Sequence, residues 1–79
     1  MQASEQVVVV YDWSQVIHKG VRTADGNPVG NIAAEDGDAI TVLAPRSRVY
    51  SIPKSSVQKF DGSEVRISLN LADLRNYAK

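Results

Sequence analysis

The chain has no cysteine, and His18 is its only histidine. There is therefore no disulfide framework, no thiolate chemistry and no multi-histidine zinc site. It has no long apolar stretch either: the run Val7, Val8, Val9, Val10 is the longest of its aliphatic kind, and Asp12 closes it after Tyr11. That is far short of the ~20 residues a bilayer-spanning helix needs, so no membrane span is expected. Residues 1–6 carry neither a positive leader nor an apolar segment of signal-peptide length, which leaves the cytoplasm as the expected location. Net charge is zero, from nine basic and nine acidic side chains, which argues against a protein devoted to gripping phosphates.

Within 79 residues and 43% hydrophobic content, one domain over residues 7–79 is expected, behind a flexible leader over residues 1–6. Ordering such a chain costs about 1.5 kcal/mol of entropy per residue, which nearly cancels what a core of this size supplies. Help from a second subunit follows as an expectation. The charge is also uneven along the chain, net −4 over residues 1–39 and +4 over residues 40–79. Self-association is favoured if folding turns that split into opposite faces, although a small barrel can interleave its halves and mix the charges.

Val7, Val8, Val9, Val10 and Tyr11 are five β-formers without charge or proline, and they read as a strand. Left uncovered, such a segment pairs with any free sheet edge. It either completes its own barrel or joins a neighbouring subunit's edge, and these five residues are the candidate interface. Asp12 then caps a short helical turn bearing Trp13, Val16 and Ile17 on one face, with Gln15 placed as in a capping box. Gly20 is expected to end this turn in the left-handed conformation.

From Gly20 to Ser68 the turn signals Asp25-Gly26-Asn27, Asp36-Gly37-Asp38 and Asp61-Gly62-Ser63 separate strand-length segments. The expected strands are residues 21–24, 28–35, 39–44, 48–52 and 64–69. Alternation turns Ile40, Val42, Tyr50, Ile52, Val65, Ile67 and Leu69 inward and Arg66 and Ser68 outward. Pro53 interrupts the ladder and leads one helical turn, after which Val57 and Phe60 plug an end of the barrel. Gly30 marks a bulge or bend. Asn70 and Asp73 open a C-terminal helix whose apolar stripe is Leu71, Leu74 and Ala78. The expected fold is mainly β: a small antiparallel, SH3-like barrel with a short helical turn before it and a short helix after it.

Chemistry is sparse. His18 lacks a recognisable nucleophile or orienting carboxylate, and a helix-terminal position accounts for it. Glu35, Asp36 and Asp38 lack the loop length and closing glutamate of a calcium site, and a hairpin turn accounts for Asp-Gly-Asp. Gly26 and Gly30 lack the lysine and hydroxyl ending of a phosphate loop. No catalytic residue, metal ligand or cofactor site is expected, and the chain reads as no enzyme. Arg46, Arg48, Lys54 and Lys59 form a possible basic patch, which with Tyr50 gives RNA binding as the alternative function.

The series Asp12-Trp13-Ser14-Gln15-Val16-Ile17, Gly20-Val21, Ala24-Asp25-Gly26, Val29-Gly30 and Asp36-Gly37-Asp38-Ala39-Ile40 resembles the PRC-barrel superfamily. So does its continuation, Tyr50-Ser51-Ile52-Pro53, Val57, Phe60-Asp61-Gly62 and Val65-Arg66-Ile67-Ser68-Leu69. Asp25, Gly26 and Gly30 stand where that superfamily has its D-G-x-x-x-G hairpin, and Ile52-Pro53 where it has an I-P segment. The resemblance covers about residues 12–77 and implies a stand-alone barrel of the PRC type, without the additional domain of the ribosome-maturation relatives or the membrane helix of the photosynthetic ones. Some archaeal relatives are dimerising adaptors in cell division, so it also implies a non-enzymatic homodimeric interaction module with another protein as partner. Val21-Arg22, Asp25-Gly26 and Gly30-Asn31-Ile32 loosely resemble the KOW element of RNA-associated barrels, a shorter and more permissive pattern.

Overall fold

A computed structural model describes residues 12–79. The candidate interface residues Val7, Val8, Val9, Val10 and Tyr11 lie outside the described residues, as does the leader over residues 1–6. The first described element is a 3-10 turn, Trp13–Val16, capped by Asp12, whose carboxylate accepts from Ser14 N at 3.0 Å and Ser14 Oγ at 2.7 Å. The main chain of Gln15 closes the turn, its N–H donating to the Asp12 carbonyl at 3.0 Å. The left-handed residue that ends it is His18, with φ of 71°, while Gly20 already belongs to the first strand. His18 N–H donates to Ile32 O at 2.7 Å and Ile32 N–H to Lys19 O at 3.0 Å, and these bonds fix the reversal against the sheet.

Six strands follow: β1 (Gly20–Arg22), β2 (Pro28–Glu35), β3 (Ala39–Ala44), β4 (Arg48–Pro53), β5 (Val57–Phe60) and β6 (Glu64–Ile67). They form one sheet in the order β4-β3-β2-β1-β6-β5. Every pair is antiparallel except β1 with β6, which run parallel in the register Val21 to Val65. The expected all-antiparallel arrangement is therefore corrected to a mixed sheet. The parallel pair arises without a crossover helix, because β2 to β5 themselves form the connection that returns the chain to β1. Arg22 secures the junction: its Nε lies 3.0 Å from Glu64 Oε2 on β6, and its Nη1 donates to Gly26 O at 2.8 Å.

The outer strands β4 and β5 are consecutive in the chain, joined by a 3-10 turn at Lys54–Ser56. Three residues at about 2 Å rise each cannot bridge the two edges of a flat six-stranded sheet, so the sheet is rolled. No ladder joins β4 to β5, and among the described residues the sheet is not closed by hydrogen bonds.

The core is Val16, Val21, Val29, Ile32, Ile40, Val42, Ile52, Val65, Ile67 and Leu74. Trp13, Ile17, Tyr50, Val57, Phe60 and Leu69 pack against it, partly buried. Strand β5 was expected to be a plug. It pairs with β6 across a bulge between Val57 and Lys59, and that extra residue returns both Val57 and Phe60 to the inner side. Gly30 sits beside a register shift on β2, and its lack of a side chain is what lets β3 approach: a Cβ there would lie 2.1 Å from Leu43 O. Thr23 is the one buried polar residue among those described. Its hydroxyl donates to the Asp25 carboxylate and accepts from Asn27 N at 2.9 Å, which locks the β1–β2 turn.

Past β6, the helix α1 (Leu71–Leu74) runs into a 3-10 turn at Arg75–Tyr77. Asn70 N–H donates to Asp73 Oδ2 at 3.0 Å, the reciprocal half of a capping box. Of the expected stripe only Leu74 is buried; Leu71 is 49% exposed. The chain then crosses the edge of β4, where Tyr50 bridges Ala78 and Lys79 N–H donates to Val49 O at 2.8 Å. No helix among the described residues is long and apolar enough to cross a membrane.

Candidate functional site

The β3–β4 turn is the most strained backbone described. Arg46 (φ 65°, ψ 33°) and Ser47 (φ 61°) are both left-handed, and Arg48 N–H closes the turn on Pro45 O. Positive φ at both central positions suits the right-handed twist of a hairpin, and Asn-Gly is the usual pair there. Arg-Ser holds the same shape at a cost of about 1–2 kcal/mol per residue.

This turn forms one wall of a cleft of about 270 Å³, whose apolar surface includes Val29, Pro45, Tyr50, Leu71 and Leu74. Arg46 and Arg48 stand at its rim. A second depression, of about 400 Å³, shares Arg48 and Tyr50 with the first and adds Arg75 and Lys79. The two adjoin along β4 as a groove, with cations around an apolar floor and no Asp or Glu side chain among the described lining residues. Among the described residues the ion pairs are Arg22 with Glu64 and Lys54 with Glu35, and none of the four groove cations, Arg46, Arg48, Arg75 and Lys79, is in an ion pair with another described residue.

The structure thus keeps half of the expected basic patch. Arg46 and Arg48 come together, but Lys54 is withdrawn: its Nζ lies 2.6 Å from Glu35 Oε1 and 4.8 Å from the centre of the Trp13 ring, leaving the side chain 15% exposed. Lys59 is exposed on β5 and lines neither depression. Arg75 and Lys79 were missed, because they lie about thirty residues from Arg46 in sequence and meet it only when the C-terminal segment crosses β4. The signal available beforehand was the basic character of residues 40–79.

His18 is exposed and lines neither depression. The carboxylate of Asp36 is occupied by its own turn, accepting from Asp38 N at 3.2 Å and Ala39 N at 3.0 Å. That acidic turn and the basic turn at Arg46 stand at opposite ends of β3, six residues or about 20 Å apart. Strand β5 has no hydrogen-bonded neighbour on its outer side among the described residues. No protein-family model matches the chain, and no curated protein matches it.

Proposed function

We propose that this chain is a non-enzymatic protein–protein interaction module, a small barrel of the PRC kind that works as a homodimer in the cytoplasm. The observation that carries the reading is the open outer edge of β5, four residues long and without a partner among the described residues. The other edge is blunted: residues 78 and 79 cross β4 at Val49 and Tyr50, and Pro53 ends it without an amide donor. Trp13, near the start of the described residues, lies under Lys54 Nζ in the turn that leads into β5. In sequence, Val7, Val8, Val9, Val10 and Tyr11, read as β-formers, immediately precede Asp12. A strand added from a second copy supplies main-chain hydrogen bonds for affinity and alternate side chains for specificity.

Light scattering over a concentration series at low and high salt tests this. A dimer that survives high salt and is lost in Val8→Lys is the expected result, because lysine at an added strand leaves a charge without a partner in the contact. A monomer at every concentration, or a Val8→Lys variant as dimeric as the parent, overturns it. RNA binding through Arg46, Arg48 and Lys54 is the second reading, favoured by the proximity of Arg46, Arg48 and Tyr50 and weakened by the pairing of Lys54 with Glu35. It predicts salt-sensitive binding that disappears when Arg46 and Arg48 are neutralised.

A further inference from the structure

We infer that the groove along β4 binds an acidic peptide segment carrying an aliphatic or aromatic anchor. This deepens the interaction-module reading and rests on it, naming the class of the second partner at a surface separate from the β5 edge. Three observations converge on this occupant. The floor is apolar, formed by Val29, Tyr50, Leu71 and Leu74, and Leu71 remains half-exposed at its margin. The rim carries Arg46, Arg48, Arg75 and Lys79, with no carboxylate side chain among the described lining residues. The wall is a turn held in left-handed conformation by residues that do not favour it, a kind of strain that concentrates at ligand-contacting segments.

Charge complementarity selects the ligand. Guanidinium groups present paired donors to carboxylates, and around an apolar floor that excludes water such pairs are stronger than on an open surface. The cleft of about 270 Å³ and the depression of about 400 Å³ meet at Arg48 and Tyr50, and two adjoining hollows suit an extended chain with one seated side chain. Single-stranded nucleic acid is served less well, because base stacking needs aromatic platforms and Tyr50 is the only aromatic residue among the described lining residues. The chain's own acidic turn at Asp36 and Asp38 has the charge but offers only Gly37 as its central residue, with nothing to fill the cleft.

The test is fluorescence polarisation with the full chain and three labelled probes: a short peptide in which glutamates flank a Leu-Phe pair, the same peptide with alanines for that pair, and oligouridine. Saturable binding of the first is expected, about tenfold or more tighter than the second and weakening with salt. Arg48→Glu and, independently, Leu71→Ser lower that affinity about tenfold with the denaturation midpoint kept, while Lys19→Glu, outside the groove, leaves it unchanged. No saturable binding, equal binding of the first two peptides, or tighter binding of oligouridine overturns the proposal. So does loss of a dimer in Arg48→Glu by light scattering, which would make a second copy the occupant. A Val8-dependent dimer that ignores the peptide refutes this inference alone, and a monomer that binds the peptide refutes only the dimer.

Discussion

In the turn between β5 and β6, one carboxylate oxygen of Asp61 accepts from Ser63 N at 2.9 Å, Ser63 Oγ at 3.0 Å and Glu64 N at 2.9 Å. The two backbone donors first and the hydroxyl next hold the carboxyl down from its ordinary 3.8 to about 2, since all three bond the charged form. Asp12 and Asp25 are lowered for the same reason, chiefly by the hydroxyls of Ser14 and Thr23 respectively. A depressed folded-state pKa stabilises the fold above the unfolded value and is lost as the pH falls through the folded one. Asp61→Asn keeps an acceptor but loses the charge. Its stability deficit against the parent is therefore expected to be full above pH 3.8 and to close as the pH falls toward about 2. Urea titrations across that range measure it, and a deficit independent of pH would refute the assignment.

At the scale of the elements, the hairpins with a glycine signal were legible and the others were not. Gly26 and Gly62 adopt φ of 89° and 97° inside turns that their Asp-Gly sequences announce. Strands β2 and β3 run over the expected residues, and β4 exceeds its expected end by Pro53 alone, which closes the strand while pairing with Ala39. The turn at Arg46 and Ser47 has the same handedness with none of the signal. Strand β5 was hidden for a different reason: its bulge spaces the inward Val57 and Phe60 three apart, and a period of two does not reveal them. The parallel β1–β6 pair was illegible because pairing between strands distant in sequence is decided by how the whole sheet rolls. The groove was half legible, since Arg46 and Arg48 are near in sequence while Arg75 and Lys79 arrive by tertiary packing.

The strained turn yields its own prediction. Ser47→Gly removes a left-handed cost of about 1–2 kcal/mol and adds about 0.4–1 kcal/mol of unfolded-chain entropy. A net gain of about 0.5–1 kcal/mol is expected in chemical denaturation, with Arg46 and Arg48 still in place. A loss of stability would mean that the Ser47 side chain holds the turn by contacts that outweigh its backbone conformation.

For the molecule as a whole, the decisive quantity is how much of its stability belongs to one copy. Among the described residues the buried core is ten aliphatic side chains, of which only Val29, Val21 and Leu74 retain any exposure. Such a core offsets chain entropy by a narrow margin in a domain of this length. An edge strand completed by a second copy adds burial that the isolated chain lacks, and mass action then ties folding to concentration. The melting temperature of the parent is expected to rise with protein concentration, while that of Val8→Lys stays lower and flat. Scanning calorimetry over a hundredfold concentration range separates the two cases, because a self-sufficient fold melts at one temperature throughout. The charge arrangement sharpens the comparison: with the acidic and basic turns at opposite ends of β3, association through charge would lose its concentration dependence at high salt. Association through an added strand keeps it, so a rise in melting temperature that survives high salt assigns the dimer to the apolar segment and leaves the basic groove free for a different partner.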